Sequence, residues 1–597
     1  VPDRAEQDAA QRRLRDIAGV TVLIYEQTCA AEKRRRRKKG QMADPARRLF
    51  INERVCEGCG DCSLQSNCVA VLPHETWWGK KRKIDQSGCN KDYSCAQGFC
   101  PSFVGVTGGT LKKKAGALAG GKEGFLARVA ALPQPAAHAW DAPYDLLVTG
   151  VGGTGVVTVG ALIAMAAHLE GKSASVLDFM GFAQKGGAVL SFVRLADTPQ
   201  RLNQVRIDAQ QADAILACDL VVGASPEALQ TVRHGRTRVL ANLHEVPVAA
   251  SLRDPDFSMQ AGLLLEKMQS AAGRQQVETL DAQALAEDFL GDATVSNILA
   301  LGYAWQRGMV PVGLPALMRA IELNGVAVES NRMAFSLGRL AAGDPQACQA
   351  LLGAAHASEA PVPTLEMLVA RSMDELTAYQ DAAYARRFES LVRDTAQRER
   401  ELGAGPDLPL AAAVARSMAK LMAYKDEYEV ARLYTDGGFR QALAAQFEGD
   451  VKLGFYMAPP LLARRGTDGK PRKMRLGSWM MPAMKLLARG KALRGGLLDP
   501  FGWTAERRME RALVSGFEKR IRGLLPTLQA EQLKLATEIA AVPLSIRGYG
   551  HVKDAALQQA QAREAELLHR LDPQRYPRPE RPPTAGQLRG IPVVSAR

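Results

Sequence analysis

The stretch YDLLVTGVGGTGVVTVGALIAMAAHLEG, residues 144–171, decides how the middle of this chain folds. An apolar run leads into a glycine-rich turn at 150–155, and an apolar helical pattern follows the turn. Further apolar runs alternate with helical patterns across residues 142–345. Strands that alternate with helices pair in parallel, so the sequence predicts an α/β region with a mostly parallel sheet.

The turn satisfies the spacing G-x-G-x-x-G, and Asp178 ends the next apolar run. In a Rossmann-like unit such glycines let the backbone approach a pyrophosphate, and the acid binds the ribose hydroxyls. A second glycine pair, Gly186-Gly187, directly precedes the third apolar run, AVLSFVRL. An ordinary Rossmann unit has a crossover helix at this point. The glycine pair instead suits close approach by another chain or a cofactor. The expected cofactor-binding or close-packing residues are Gly150, Gly152, Gly153, Gly155, Gly186 and Gly187.

Cysteines cluster early in the chain, at positions 56, 59, 62, 68, 89, 95 and 100. Disulfides are rare in a reducing cytosol, so this clustering favours a metal site. Cys56, Cys59 and Cys62 follow C-x2-C-x2-C, which lets three thiolates surround one iron–sulfur cube. Zinc ribbons use two separated C-x2-C pairs instead.

Cys100 is followed by Pro101, as in ferredoxin runs whose Cys-Pro cysteine ligates the other cluster. This pattern predicts one [4Fe–4S] cluster on Cys56, Cys59, Cys62 and Cys100. Three cysteines remain for a second metal site: Cys68, Cys89 and Cys95. Several alternatives stay open for this second site: a three-iron cluster, a fourth ligand from Asp92, His74 or a distant thiol, a zinc site, or no second metal.

The net charge of +14 predicts an acidic or anionic partner, and the densest basic run is Lys33–Lys39. That run is either a solvated surface or a docking site for an acidic protein; it has no interleaved aromatic side chains, so nucleic acid is not expected. No apolar run approaches the roughly 20 residues of a membrane span. We expect a soluble, cytoplasmic protein that does not have a membrane as a partner.

Several longer segments resemble the fused, bacterial-type indolepyruvate:ferredoxin oxidoreductases, which are thiamine-diphosphate-dependent. The segments that carry the resemblance are GVTVLIYEQTCAAEKRRRRKKG, FINERVCEGCGDCS, NKDYSCAQGFCPSF, GFAQKGGAVLSFVRL, AIELNGVAVESNRMAFSLGRLAAGDP, YKDEYEVARLYTDGGF, FYMAPPLLARR and LDPFGWTAERRMERAL. The resemblance implies a multi-domain α/β protein. Its expected parts are the end of a thiamine domain (1–48), a small ferredoxin-like α+β iron–sulfur unit (49–110), a linker (111–141), the gamma domain (142–345), an all-α domain (346–575) and a proline-rich tail (576–597).

The resemblance implies oxidative decarboxylation of an aryl-2-oxoacid such as indolepyruvate. Coenzyme A accepts the acyl group, and ferredoxin receives the electrons through the clusters. Thiamine diphosphate with Mg²⁺ is expected only from a thiamine-binding half upstream of Val1 or a separate subunit, so the chain alone should be inactive. We also expect a homo-oligomer. The sequence identifies no catalytic residue.

Three hypotheses follow. The first is the electron-transfer and gamma portion of a 2-oxoacid:ferredoxin oxidoreductase, in which the glycine turn serves packing and has no nicotinamide role. The second is a nicotinamide- or flavin-dependent iron–sulfur oxidoreductase that uses residues 150–155. The third is a non-catalytic interaction protein with structural zinc.

Overall fold

The structure is a computed structural model that describes residues 4–112, 121–180, 187–245, 252–258, 260–352, 363–458 and 471–578. Gly186 and most of the predicted proline-rich tail lie outside these residues. Within them, no helix combines the length and apolar character needed to cross a membrane.

The chain begins with two helices and a small cysteine-rich unit (residues 47–111). The elements are α1 (Arg4–Arg15), α2 (Ala30–Lys38), β1 (Arg47–Ile51), α3 (Asp61–Ser66), β2 (Val71–Thr76), β3 (Gly79–Ile84), β4 (Phe103–Thr107), β5 (Thr110–Leu111) and α4 (Gly121–Ala130). β1 pairs antiparallel with β4, and β2 with β3. Helix α4 falls within the segment predicted as a linker, and it buries Phe125 and Val129 against the next region.

The α/β region (residues 144–343) follows the predicted alternation of strands and helices. Its elements, with the helix that continues it, are β6 (Tyr144–Val151), α5 (Val156–Leu169), β7 (Ser173–Met180), β8 (Ala188–Ala196), β9 (Ala214–Ala217), α6 (Leu220–Gly223), α7 (Pro226–Leu229), β10 (Arg238–Asn242), α8 (Ala261–Ala272), β11 (Val277–Leu280), α9 (Ala282–Leu290), α10 (Ser296–Gln306), α11 (Leu314–Asn324), α12 (Val328–Gly343) and α13 (Pro345–Leu352).

Six strands form one sheet in the order β11-β10-β9-β6-β8-β7. The first four pair in parallel, whereas β8 runs antiparallel to both neighbours. Helices cover both faces, so consecutive residues of β6 enter different cores: Leu146 contacts one, and Leu147 the other. A strand that is buried on both faces is apolar at nearly every position, which explains the continuous apolar run in the sequence of β6. The mostly parallel sheet predicted from the sequence is confirmed.

Helices α10 and α12 approach each other closely because each carries a glycine at the contact. A Cβ on Gly302 would lie 2.1 Å from the carbonyl oxygen of Phe335. A Cβ on Gly338 would lie 1.9 Å from the carbonyl oxygen of Leu299. Neither position accepts a side chain without separating the helices.

The helical region (residues 365–571) contains most of the remaining elements. They are α14 (Leu365–Tyr379), α15 (Ala382–Glu401), α16 (Pro409–Met422), α17 (Glu427–Thr435), α18 (Gly438–Gln446), β12 (Phe447–Glu448), β13 (Lys452–Met457), β14 (Met474–Leu476), α19 (Met480–Arg489), α20 (Ala505–Leu524), α21 (Leu533–Ala541) and α22 (Gly550–Leu571). The predicted helical character is confirmed.

Three short strands interrupt the helical region, where the sequence predicted helices alone. β13 and β14 extend the sheet of the cysteine-rich unit, in the order β1-β4-β13-β14, and β12 pairs with β5. These strands join the sheet because β1 pairs with only one edge of β4. The N–H and C=O groups on the other edge of β4 need a hydrogen-bonding partner. The apolar and aromatic run LGFYM at 453–457 supplies that partner.

We expect Gly338→Ala to destabilise the α/β region by about 1–3 kcal/mol, because the added methyl group collides with the backbone of α10. Thermal unfolding followed by circular dichroism should show a lower midpoint. Gly516→Ala, in α20, is the matched control: a Cβ there meets nothing within 4 Å. Alanine favours helix over glycine, so this control should be neutral or slightly stabilising. Equal midpoints for the two variants would contradict the close packing of α10 and α12.

Candidate functional site

Cys56, Cys59, Cys62 and Cys100 line one cavity in the cysteine-rich unit. The first two stand on the loop between β1 and α3, Cys62 lies in the first turn of α3, and Cys100 precedes β4. The other lining residues are Ile51, Glu57, Gly60, Asp61, Arg82, Phe99, Ser102 and Phe103. The structure therefore brings together the four cysteines that the sequence groups in one cluster.

Glycines allow this tight arrangement of the chain. Gly58 has a φ of +68°, in the left-handed region that favours glycine, and a Cβ on it would lie 2.1 Å from the carbonyl oxygen of Lys80. A Cβ on Gly98 would lie 2.9 Å from the Cα of Cys62. The amide of Gly58 also donates to the Sγ of Cys56 at 3.3 Å. Backbone amides directed at sulfur are typical of thiolates that bind iron.

The other three cysteines form a second group in the same unit. Cys68 follows α3, Cys89 follows β3, and Cys95 lies in a single turn of 3₁₀ helix. Burial, followed by the neighbouring Cys89 and Cys68 thiols, raises the pKa of Cys95 to about 12. The thiols therefore lie close enough to interact electrostatically.

The two candidate non-cysteine ligands lie in different surroundings. Asp92 is near the second group, because its charge contributes to the raised pKa of both Cys89 and Cys95, after the effect of burial. His74 lies on the β2–β3 hairpin, with its Nε2 3.1 Å from Oε2 of Glu53. Asp92 is thus the better placed of the two, and its role as a ligand stays a prediction.

Four cysteine thiols are the donor set that a [4Fe–4S] cluster would take. Among the described residues, no three His, Cys, Asp or Glu side chains lie close enough together to hold one metal ion. Burial raises the pKa of Cys56 and Cys62, and the Cys100 thiol adds to both effects. Bound metal would deprotonate these thiols outright.

Arg82 adds a second, independent sign of an anionic group in this cavity. The residue is 2% exposed, and its Nε and Nη2 atoms are buried without a hydrogen-bond partner. A buried guanidinium is costly unless an anion compensates it. Four thiolates and a cluster would provide that charge.

The helical region contacts the segments that carry Cys56 and Cys100, and sequence reasoning missed these contacts. Tyr434 donates to the carbonyl oxygen of Pro101 at 2.7 Å, and Tyr549 donates to that of Val55 at 2.6 Å. The side-chain amide of Asn52 donates to the carbonyl oxygen of Leu433 at 3.1 Å. These hydrogen bonds fix the residues next to Cys56 and Cys100. One feature of the sequence could have predicted that the helical region meets the cysteine-rich unit: the strand-like run at 453–457, inside an otherwise helical sequence.

A buried group of charges lies beside Cys56. Burial acts to raise the pKa of Glu57, but Lys425 and Lys81 outweigh it and hold the pKa well below its usual range. Lys425 forms an ion pair with Glu57. Burial lowers the pKa of Lys81 to about 8. The helical region thus supplies the countercharge for the cysteine loop.

Helix α2, which contains most of the basic run, lies against the loop of Cys89. Arg34 donates to the carbonyl oxygen of Gly88 at 3.3 Å, and Arg37 donates to that of Asn90 at 2.6 Å. The basic surface is therefore next to the second cysteine group.

The predicted cofactor-binding glycines form the end of β6 and the turn before α5. Gly150 lies in β6, Gly152 and Gly153 follow it, and Gly155 precedes the helix with a φ of +100°. The Gly152 amide donates to the carbonyl oxygen of Gly187 at 2.8 Å. In a dinucleotide site the backbone here faces the pyrophosphate, but the chain itself occupies this donor. Gly186 lies outside the described residues.

Asp178 does not occupy the place of a ribose-binding acid. β8 lies between β6 and β7, so the strand that carries Asp178 is not adjacent to the strand before the glycine turn. Asp178 is paired across the ladder with Ser191 of β8. A Rossmann-like site needs that acid beside the turn.

Comparisons with known proteins concern the α/β region and the helical region. Residues 145–341 match the family model described as pyruvate ferredoxin/flavodoxin oxidoreductase. The pyruvate/ketoisovalerate oxidoreductases common subunit gamma of Thermococcus kodakarensis is 30% identical over 187 residues, which are 31% of this chain and 89% of that protein. The chain belongs to the 2-oxoacid:ferredoxin oxidoreductase family.

The relatives cover the gamma portion. Indolepyruvate oxidoreductase subunit IorB of Pyrococcus horikoshii is 26% identical over 208 residues, covering 33% of this chain and 96% of that protein. The keto/oxoacid ferredoxin oxidoreductase gamma subunit of Geobacter sulfurreducens is a solved structure with 24% identity and a TM-score of 0.24; the match covers 33% of this chain and 98% of that one. Residues 365–566 match a family of unknown function, DUF6537.

We expect no saturable binding of NADH or NADPH in isothermal titration calorimetry. The reason is that the Gly152 amide is occupied and Asp178 is one strand too far away. Micromolar binding of either nucleotide would contradict this and would favour the nicotinamide-dependent hypothesis.

Proposed function

We propose that this chain is the electron-transfer and gamma portion of an indolepyruvate-type 2-oxoacid:ferredoxin oxidoreductase. In the proposed reaction an aryl-2-oxoacid is oxidatively decarboxylated, coenzyme A accepts the acyl group and ferredoxin receives the electrons. The observation that carries the proposal is that Cys56, Cys59, Cys62 and Cys100 line one cavity, together with buried Arg82, whose Nε and Nη2 have no hydrogen-bond partner. Family membership supports the reaction class.

Thiamine diphosphate with Mg²⁺, on a partner half or subunit, would supply the decarboxylation chemistry. The residues of this chain would serve electron transfer instead: Cys56, Cys59, Cys62 and Cys100 would hold a [4Fe–4S] cluster, which would supply one-electron redox chemistry. Their surroundings exclude water, since Cys56 and Cys62 are each only 6% exposed. A cluster accepts one electron at a time, so the chain would separate a two-electron oxidation into single steps.

A second cluster on Cys68, Cys89 and Cys95, with Asp92 as candidate fourth ligand, would continue the path. Two observations support this order. Cys68 and Cys89 are more exposed than Cys56 and Cys62, and the Cys89 loop lies under the basic helix α2. Electrons would therefore enter at the first cysteine group and leave at the second.

Ferredoxin would dock on α2, because an acidic surface is complementary to this helix. Arg35 and Arg36 are exposed there and pair weakly with Glu32, each at 3.0 Å. Exposed pairs of this kind contribute little and leave the cations available to a partner. A cytoplasmic location and a homo-oligomeric assembly belong to the same proposal.

The aryl substrate rests on the resemblance to indolepyruvate enzymes and on relatives named indolepyruvate oxidoreductase. Other relatives are named for pyruvate or for ketoisovalerate. Indolepyruvate and phenylpyruvate should therefore be compared directly with pyruvate in any assay of the assembled enzyme.

The first test is metal content after anaerobic purification. The wild-type chain should be brown and contain iron and sulfide, and Cys100→Ser should lose the iron of one cluster. Cys348→Ser is the matched control, because Cys348 is buried elsewhere, in the core of the α/β region, and should leave iron content unchanged.

A colourless protein that contains zinc would contradict the proposal. Equal iron in wild type and Cys100→Ser would contradict the assignment of that cysteine.

The second test concerns the docking surface. With the thiamine-binding partner, indolepyruvate and coenzyme A present, Arg35→Glu/Arg36→Glu should raise the KM for ferredoxin about tenfold at low salt, since reversing two exposed charges costs about 1–2 kcal/mol. The effect should shrink as ionic strength rises.

Arg12→Glu/Arg13→Glu is the control, because α1 is also exposed and basic and Arg12 likewise pairs with an acid four residues away. An equal rise in KM for both double variants would show that the effect comes from the net charge of the protein. It would contradict α2 as the docking surface.

A further inference from the structure

Lys473 is a partly buried cation that the helical region contributes to the cysteine-rich unit. It directly precedes β14, and its Nζ donates to the carbonyl oxygen of Gly98 at 2.5 Å. The ammonium also lies 5.2 Å from the centroid of the Phe103 ring. Sequence reasoning missed Lys473, since nothing in PRKMRL links it to cysteines far away along the chain.

Gly98 lies where the two cysteine groups meet. Its carbonyl oxygen also accepts from the Cys100 amide at 2.9 Å, and its own amide donates to the carbonyl oxygen of Cys95 at 3.2 Å. Its Cα packs against Cys62 so tightly that no side chain fits there. An ammonium bound to this carbonyl is therefore next to both groups.

The surroundings of Lys473 explain how its partly buried charge is tolerated. Burial lowers the pKa of Lys473, while Cys100, Cys62 and Asp61 act in the opposite direction. Among the described residues, no carboxylate oxygen lies within 4.0 Å of its ammonium. A partly buried cation without a direct ion pair is favoured by an anionic group nearby.

Arg82 is a second cation near these cysteines, and unlike Lys473 it lines the cavity itself. It belongs to β3, and none of the ion pairs of the described chain includes it. Its charge acts on Cys62, where it opposes the rise in pKa caused by burial. Two cations from different parts of the chain, Arg82 fully buried and Lys473 partly buried, thus lie next to the proposed cluster site.

We propose that Arg82 and Lys473 are positioning residues that raise the reduction potential of the cluster held by Cys56, Cys59, Cys62 and Cys100. This inference rests on the proposed function. Reduction adds one electron to the cluster, forms and breaks no bond to the protein, and increases the negative charge that the two cations face. Charge and hydrogen bonding around a cluster are the means by which proteins set its potential.

The test is a redox titration of the full-length chain, purified anaerobically and followed by electron paramagnetic resonance, with dithionite as reductant. The variants are Lys473→Met and Arg82→Met, singly and together, with Lys473→Arg as the variant that keeps the charge. Lys519→Met is the control, since it removes an equal charge from an exposed position on α20.

At the potential where half of the wild-type cluster is reduced, Lys473→Met should lower the ratio of reduced to oxidised cluster about tenfold, a shift of about 59 mV for one electron. Arg82→Met should act in the same direction, and the double variant should show a larger change. Lys473→Arg and Lys519→Met should titrate like wild type.

Iron-loaded Lys473→Met and Arg82→Met proteins with wild-type potentials would overturn the inference and leave the proposed function intact. A wild-type chain that binds no iron would overturn the proposed function itself. If Lys473→Met loses iron, Lys473→Gln is measured instead, because glutamine keeps a hydrogen-bond donor without the charge. A lower reduction potential in iron-loaded Lys473→Gln would support the inference, and a wild-type potential would contradict it. Loss of iron in every neutral variant would show that the cations serve assembly, which also counts against the inference.

Discussion

The antiparallel pairing of β4 with β13 is the interaction on which the candidate site depends. Val104 lies opposite Phe455 in this ladder, and both side chains are fully buried. Two strands alone are marginally stable, so β1 and β4 cannot complete a sheet by themselves. The loop that ends at Cys100 is therefore held by strands that lie far along the chain, beyond the α/β region and several helices.

A buried ion pair organises the helix that reaches this sheet. Arg494 binds Asp426 through Nε at 2.6 Å and lies 3.7 Å from the ring centroid of Tyr379. Asp426 also accepts from the amide of Glu429 and so caps α17. The far end of the same helix holds Tyr434 against Pro101. Burying two charges is costly, and we infer that the pair mainly fixes the orientation of α17 toward the cysteine loop.

The α/β region illustrates how a motif can be correct locally and misleading globally. The sequence predicted the turn at 150–155 with helix α5 behind it, and the structure has both. The insertion of β8 between β6 and β7 separates Asp178 from the turn, and Gly187 occupies the Gly152 amide. The local spacing was the same as in a nucleotide site; strand order, which depends on long-range pairing, was different.

The sequence by itself determined the parts that depend on near neighbours. Periodicity predicted the mostly parallel sheet and the helical region, because burial on one or both faces repeats along the chain. The C-x2-C-x2-C spacing and the ferredoxin-like Cys-Pro pattern predicted which four cysteines share a location. Tertiary structure alone decided the partners of β4, the burial of Arg82 and the position of Lys473. These features depend on contacts between residues far apart in sequence, and no local pattern predicts which distant strand or cation will make such a contact.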